Sequence, residues 1–556
     1  MRKIVECVPN FSEGRDSAVI EQITAAISAV EGVTLLDVDP GKDTNRTVVT
    51  LVGEPEAVKE AAFRGIQKAA ELIDMSSHSG AHPRMGATDV CPFIPVANMT
   101  MDECIRLAHE LGARVGKELG IPVYCYEYAA TRPERRNLAD IRKGEYEALP
   151  EKMKNADFKP DFGPAQFNAK SGATVIGARD FLVAYNVNLN TRDKKLAHEI
   201  ALTIRESGCP KKDKHGNKVL DKDGNPVIQP GLLQCCKAVG WYIDEYGYAQ
   251  VSINLTNYTV TGIHHAFDAV SSEAQKRGLR VTGSEIVGLV PKKSLLDAGV
   301  HYLQKQGKNI GIPEREIIHT AMLSLGLHDT VEFDPNEKII EYRINKGTKR
   351  LVDMTLTTFA DELSSDSPAP GGGSVAALCG ALSASLSSMV ANLTYGKKGY
   401  ERVTKAMTEV SVQAQELKRT FIELIDRDTD AFNTFMAASK MPRKTDEQKA
   451  ARETALQAAT KHATMIPLET VRASVDIIRL AGVVAKKGNA HALSDAAVAA
   501  IMAEAAAESA YLNVKINVPG ITDKTFVADV MKEADELLKT VKTGRKRIVA
   551  AVSGKL

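Results

Sequence analysis

Apolar positions change their period several times in the first hundred residues. Ile4–Val8, Val33–Val38 and Thr47–Val52 are short apolar or alternating runs, which predicts strands. Ser17–Val30 and Pro55–Ile73 repeat apolar residues at helical spacing, the second with proline in its first turn. One more strand is predicted around Val90–Val96. The order β-α-β-β-α-β is that of a ferredoxin-like unit. It returns as Phe181–Val187, Lys194–Glu206, a hairpin of Ala238–Asp244 and Ala249–Leu255, then Ile263–Arg277 and Val281–Val290. Inside this second unit, residues 209–231 (CPKKDKHGNKVLDKDGNPVIQPG) are charged and rich in turn residues, and read as an exposed hairpin excursion.

After about Asp353 the chain becomes Ala-rich and almost strand-free, which suits closely packed helices. The predicted architecture is therefore two α/β ferredoxin-like subdomains followed by an all-α helical domain. The divisions fall at 1–179, 180–332, a linker over 333–352, and 353–556. A cleft between the two α/β subdomains is a favoured place for a ligand. Helices faced with alanine leave a thin core in each copy, so self-association is expected.

Composition narrows the function classes. With 44% hydrophobic and 25% charged residues the chain has the make-up of a soluble globular protein. Its 71 basic and 70 acidic residues leave a net charge of +1, which argues against a nucleic-acid partner. No apolar run reads as long enough to span a bilayer, and MRKIVECVPN enters strand sequence without a signal-like segment. The eight cysteines form no CxxC pair, so buried free thiols in a reducing, cytoplasmic setting are expected.

Five stretches gather chemistry. In SSHSGAHPRMGATDVCP, His78 and His82 have the HxxxH spacing of a zinc pair, but Gly80 and Pro83 deny them the helix that spacing needs. Two readings stay open there. One is a polar surface loop, and the other is a histidine acid–base group with Arg84 gripping a carboxylate through its fork. DVDPGKDTNRT carries Asp37, Asp39, Asp43, Asn45 and Arg46, which a solvated turn bonding its own backbone also explains. SPAPGGGS offers free amides at a helix start, with Ser374 as the cap, or simply a tight turn. In LIDRDTDAF, Asp428 falls in the middle of an apolar helical stripe, while Asp426 and Asp430 fall on the opposite face, where solvent is expected. A lone carboxylate on an apolar face is raised in pKa, which suits acid–base work. KKGNAHALSDAAVAA alone reads as a helix break and a cap.

Taken together and in order, these strings resemble the formimidoyltransferase-cyclodeaminase family over essentially the whole chain. VECVPNFSEGR, LLDVD, NRTVVTLVG, HPRMGATDVCPFIPV, GEYEALP and DFGPAQF match its transferase half; PAPGGGS, LTYGKK, DRDTDAF and GN(x)4SD match its cyclodeaminase half. The resemblance implies transfer of a formimino group from N-formimino-L-glutamate to N5 of tetrahydrofolate, then closure to 5,10-methenyltetrahydrofolate with loss of ammonia. It places the catalytic roles on His82 and Asp428, with Asp39 as a polar partner. It carries folate binding onto GPAQFNAKSG (Gly163, Pro164, Ala165, Gln166, Phe167, Asn168, Ala169, Lys170, Ser171 and Gly172). A second binding segment, from Gly231 through Lys237 to Gly240, is implied as well. It implies no permanently bound cofactor, with tetrahydrofolate (as its polyglutamate) serving as co-substrate; no metal is expected, because the HxxxH pair lacks its helix and a third ligand. The assembly implied is a homo-oligomeric ring of dimers. Lys397, Lys398, Arg402, Lys486 and Lys487 are candidates for holding a polyglutamate tail. A folate-binding assembly protein with silent sites and a metal-dependent amidine hydrolase are the competing readings.

Overall fold

The computed structural model describes residues 3–556, apart from residues 43, 81, 82, 216, 245, 346–349 and 368. Packing divides the chain into two compact units, residues 1–298 with 322–346 and residues 299–321 with 347–556.

In the first unit, β1 (Ile4–Cys7) and the short β2 (Asn10–Phe11) lead into α1 (Ser17–Ser28), β3 (Val33–Gly41), β4 (Arg46–Gly53), α2 (Pro55–Leu72) and β5 (Thr88–Ala97). β1 and β2 both lie between β4 and β5, antiparallel to each, with β3 outside β4. That is the ferredoxin-like order the periodicity predicts. The sheet then continues with elements the sequence reading did not place: α3 (Met101–Arg114), β6 (Val123–Glu127), α4 (Leu138–Arg142), α5 (Glu145–Lys152) and β7 (Thr174–Ala178). β7 pairs parallel to β5, and β6 parallel to β7. Val5, Cys7, Leu51, Cys91 and Phe93 pack one face of the sheet against α1, α2 and α3. Thr100 and Glu103 close a capping box at the start of α3.

The second sheet repeats the plan. β8 (Val183–Leu189) and α6 (Lys194–Ile204) precede the excursion, whose ends pair as β9 (Cys209–Pro210) and β10 (Ile228–Gln229). β11 (Cys236–Ile243), β12 (Tyr248–Leu255), α7 (Ile263–Lys276) and β13 (Val281–Val287) complete it in the order β11-β12-β8-β13. Odd residues of β8 and β12, such as Tyr185, Val187, Val251 and Ile253, are buried core. Even ones build a polar ladder: Gln250 donates to Asn188 (2.7 Å) and to Glu285 (3.0 Å), and accepts from the Trp241 indole (2.9 Å).

The chain continues through α8 (Lys292–Lys305), α9 (Glu314–Leu325), α10 (Pro335–Lys338) and α11 (Ile340–Asn345) to the helical region. That region comprises α12 (Leu356–Leu363), α13 (Gly372–Thr394), α14 (Thr404–Ser439), α15 (Asp446–Lys487), α16 (Leu493–Asn517) and α17 (Lys524–Ser553). Small residues let the helix backbones approach. A Cβ at Gly380 would stand 2.3 Å from the Phe421 ring, so α13 and α14 meet closer than any larger residue allows. The expectation that no segment could span a bilayer is corrected by α13. Its 23 residues are long and apolar enough by length and composition, but 61% of that apolar stretch is buried inside the unit. It is a core helix, lined by the alanines that the composition placed there.

Candidate functional site

In the first unit the string that begins at Ser76 lies between α2 and the start of β5, and neighbouring elements hold its described residues from three sides. Asn45, at the β3–β4 turn, accepts from the Gly14 amide (3.0 Å) and donates to the Ser79 carbonyl (3.0 Å). The β3–β4 turn is thus bonded across to this loop rather than only to its own backbone. His78 Nε2 meets the Asn45 carbonyl at 3.0 Å, and its Nδ1 accepts from Arg84 Nε at 3.3 Å. A carbonyl can only accept, so Nε2 carries the proton and the ring is neutral. Burial, aided by the Arg84 charge, lowers the His78 pKa. Both ring nitrogens are taken up by the protein, which leaves His78 no lone pair for a zinc partnership.

Arg84, expected to grip a substrate carboxylate, spends its fork on protein groups. It donates to Glu147 at 2.9 and 2.5 Å, to Glu145 at 3.0 Å and to the His78 carbonyl at 3.2 Å, which pins the loop to α5. His82 lies outside the described residues, as do Ala81 and Asp43. Asp89, in the same quoted string, is fully buried. It accepts from Arg46 (2.7 Å), from Arg142 and from the Met85 amide (3.0 Å). Burial lowers the Arg46 pKa to about 10 despite the nearby Asp89 charge. These long-range pairs tie β4, β5 and α4 together, and no local spacing announces them.

A cleft of about 890 Å³ opens beside this loop, lined by Pro83, Tyr126, Arg142, Arg179, Lys237 and Asn257 among others. Of the second expected folate segment, Cys235 and Lys237 line it. Gly231 and Gly240 face α6 instead. A Cβ would stand 1.8 Å from the Arg205 carbonyl at the first and 2.0 Å from the His198 amide at the second, so their job is close packing. Residues Gly163–Gly172 are not among those lining the cleft, but they clamp its loop. Gly172 has φ +66° and abuts the Met85 carbonyl, Lys170 accepts from the Met75 amide and donates to Glu71 O (2.8 Å), and Tyr146 donates to Ala169 O (2.6 Å). Phe167 packs its ring against Tyr146, Asn168 accepts from Ser171 (2.9 Å), and Pro164, Ala165 and Gln166 are exposed. Gly163, with φ +80°, packs on Ile121 O. Asp39 is exposed and lines a separate, smaller cavity of about 350 Å³ with Asp37, Glu285, Glu332 and Lys338. Burial, then the Asp39 charge, raises the Asp37 pKa.

The helical unit brings together two motifs whose meeting residues, Ser374 and Asp428, stand 54 residues apart. Gly371, not Ser374, is the N-cap of α13, and Ser374 lies in its first turn. The Ser374 hydroxyl donates to Ile425 O (3.0 Å) and to Asp428 Oδ2 (3.2 Å), and its amide bonds the same carboxylate. The anion site expected at this helix start is therefore filled by Asp428 itself. A Cβ at Gly373 would lie 2.1 Å from Asp428 Oδ1, so glycine is what allows the carboxylate so near the amides. Burial raises the Asp428 pKa, and the bonds from Ser374 only partly offset it. The group is poised to hold a proton nearer neutrality than an ordinary carboxyl. Asp426, expected in solvent, accepts from the Leu351 amide (2.8 Å) and is half-buried, whereas Asp430 is exposed.

Asp428 opens on a cavity of about 660 Å³ with Phe432, Phe435, Arg452, Leu456 and Asn513 on its walls. LTYGKK and GN(x)4SD meet at the other end of α13. Asn489 accepts from Lys397 (2.8 Å), and its amide donates to Thr394 (2.8 Å), which makes this corner a structural joint. Lys486 and Lys487 line a basic groove of about 1070 Å³ between α15 and α17, with Lys539, Arg547 and Lys555.

Comparison with known proteins agrees in both units. Residues 4–179 match the family described as "Formiminotransferase domain, N-terminal subdomain", residues 184–345 match "Formiminotransferase domain", and residues 355–536 match "Formiminotransferase-cyclodeaminase". The formimidoyltransferase-cyclodeaminase of Gallus gallus is 43% identical over 552 residues, covering 99% of each chain. A glutamate formimidoyltransferase of Thermoplasma acidophilum is 46% identical over 321 residues, 57% of this chain and 98% of its own. A methenyltetrahydrofolate cyclohydrolase of Methylorubrum extorquens is 43% identical over 202 residues, 36% of this chain and 97% of its own.

Proposed function

Since the chain belongs to the formimidoyltransferase-cyclodeaminase family, we infer that its two units carry the two successive reactions of that family. The protein is a bifunctional folate enzyme: it moves the formimino group of N-formimino-L-glutamate to tetrahydrofolate, then cyclises the adduct to 5,10-methenyltetrahydrofolate and ammonia. In the first step N5 attacks the amidine carbon and loses a proton while the departing glutamate nitrogen gains one. A single acid–base group serves both transfers, and we assign that shuttle to His82. In the second, N10 adds to the amidinium carbon, its proton passes to the amino group, and ammonia leaves. Asp428 is the assigned carrier.

The observation that supports this most directly is the meeting of PAPGGGS and DRDTDAF at one half-buried carboxylate, with its own cavity. Arg84 and residues 163–172 act by holding the His82 loop, and Lys237 by facing the folate in the cleft. A polyglutamate tail on folate that is not seated at Asp428 is proposed to lie along the basic groove of Lys486, Lys487 and Lys539, at about the strength of exposed charge pairs. Self-association into a homo-oligomer is supported by half-exposed apolar residues on α13 (Leu382, Met389, Leu393) and α16 (Val498, Ile501). A cytoplasmic location is proposed from the eight free thiols.

The test separates the two sites. His82→Ala is expected to abolish formimino transfer while leaving cyclisation of supplied 5-formiminotetrahydrofolate near the parent rate. Asp428→Asn is expected to do the reverse, with a loss on the order of 10²–10⁴-fold. Glutamate release follows the transfer, and methenyl-folate absorbance together with ammonia follows the cyclisation. A folded variant that lost both activities would overturn the assignment.

A further inference from the structure

The reaction at Asp428 needs only the N5–N10 edge of its substrate, yet the cavity extends far beyond that carboxylate. Asp428, Phe432, Phe435 and Ser439 all line it from α14. Their spacing puts them on one stripe of the helix, and the stripe from Asp428 to Ser439 is about 16 Å long at the α-helical rise. Phe432 and Phe435 are half-buried side chains along the middle of that stripe, apolar surface that a flat ring can cover. At its far end Arg452, from α15, donates Nε (3.1 Å) and Nη2 (3.0 Å) to the Ser439 carbonyl.

That leaves the guanidinium with an unusual balance. Its geometry is fixed by a neutral backbone oxygen, and among the described residues no carboxylate comes within ion-pair distance of it. The neighbouring acid on the wall, Glu453, accepts instead from Gln457 (3.0 Å). A positive charge held on a cavity wall with its remaining N–H groups unspent is suited to a carboxylate, which it can meet with two parallel bonds.

We propose that Arg452 is the specificity-determining residue of the cyclodeaminase site, binding the carboxylates of the first glutamate of the folate. This rests on the reading of the helical unit as a folate site. The dimensions fit: from N10 across an aminobenzoyl ring and along an extended glutamyl group is about 13 Å, at roughly 1.2–1.5 Å per bond. With the reacting edge at Asp428, the aminobenzoyl ring lies over Phe432 and Phe435, and the glutamate carboxylates reach Arg452. Arg452 takes no part in the proton transfers, so its contribution is to binding rather than to the chemical step.

The experiment crosses an enzyme change with a substrate change. Arg452→Gln and Arg452→Lys are compared with the parent full-length protein on 5-formiminotetrahydrofolate and on 5-formiminotetrahydropteroate, which lacks the glutamate. Ammonia release is the readout. The expected result is a KM for the folate raised about tenfold or more in Arg452→Gln, with kcat within about threefold, as befits loss of one charge-assisted pair. Arg452→Lys falls between. On the pteroate the parent already shows the high KM, and Arg452→Gln leaves it unchanged. Equal losses on both substrates would mean that Arg452 only supports the wall, and no change on either would mean that the glutamate lies elsewhere; each overturns the proposal. Failure of the folate reading looks different, because the parent would then release ammonia from neither substrate.

Discussion

Glu6 sits on β1 opposite Val52 and Ile94 and is 2% exposed, on the sheet face away from α1 and α2. Burial pushes its pKa up to about 7, with the Arg179 charge opposing and the Glu341 charge adding to the rise. An acid whose folded pKa lies above its unfolded one favours the folded state fully below pH 4.5, and that contribution is lost as pH climbs to about 7. The loss is on the order of 3 kcal/mol. Glu6→Gln is therefore expected to flatten the fall in stability between pH 5 and pH 8, and to be more stable than the parent at pH 8. Denaturant midpoints at the two pH values check this, and parallel pH profiles for parent and variant would count against it. In the sequence, Glu6 is the one charged residue within the strand predicted over Ile4–Val8. The sequence cannot show that Ile340, Phe181 and Leu289 pack against that face, where Leu36 and Val52 of the neighbouring strands also lie. Asp428 was legible for the converse reason, since a helical wheel sees one helix and its whole apolar stripe lies on α14. Asp89 with Arg46 and Arg142 was not, because its partners stand 43 and 53 residues away.

At the scale of elements, both βαββαβ orders follow from period alone, whereas β6 and β7 extend the first sheet by parallel pairing that no hairpin turn announces. The excursion shows another limit. Its sequence repeats D-K-x-G-N at Asp213 and at Asp221, and each aspartate accepts from two amides in its own turn: His215 and Asn217, then Asp223 and Asn225. The three extended pieces close on themselves rather than forming the plain hairpin expected. The Val219 amide donates to Lys211 O, Val227 to Val219 O, and Lys211 to Val227 O, at 2.8, 2.8 and 2.7 Å. An element that satisfies its own backbone and is almost wholly exposed contributes little to the sheet it leaves. Replacing Pro210–Pro230 by a short Gly/Ser linker is expected to leave the melting temperature within about 2 °C, a change below ~1 kcal/mol, and the folate KM unaltered. A large rise in that KM would show that the excursion closes over bound folate.

Across the whole molecule, the change in composition near Asp353 suggests that the helical part begins there, but packing does not follow chain order. The segment Gly299–Ala321 belongs with the helices. Asn309 donates to Asn392 Oδ1 (2.7 Å) on α13 and to the Ser411 hydroxyl (3.0 Å) on α14, and Asn392 returns a bond to Gly311 O (2.9 Å). Gly311 is pressed so closely that a Cβ would stand 2.0 Å from Ser411 Oγ and 2.6 Å from its carbonyl carbon. Single polar residues such as Asn309 carry no period, so only the folded chain exposes this joint. Because backbone as well as side chain meets that Cβ, Gly311→Val cannot be absorbed by a rotamer change. A cost of about 1–3 kcal/mol is expected from overpacking. The protein supplies its own reporter for where that cost falls. Its single tryptophan, Trp241, lies on β11 in the first unit, while most of the long helices lie in the second. In Gly311→Val the loss of helical circular dichroism, and of cyclodeaminase activity with it, should move to lower denaturant. The tryptophan fluorescence transition and formimino transfer should stay where they are in the parent. If the tryptophan transition moved by the same amount, the joint would stabilise the first unit equally, and the segment could not be assigned to the helices.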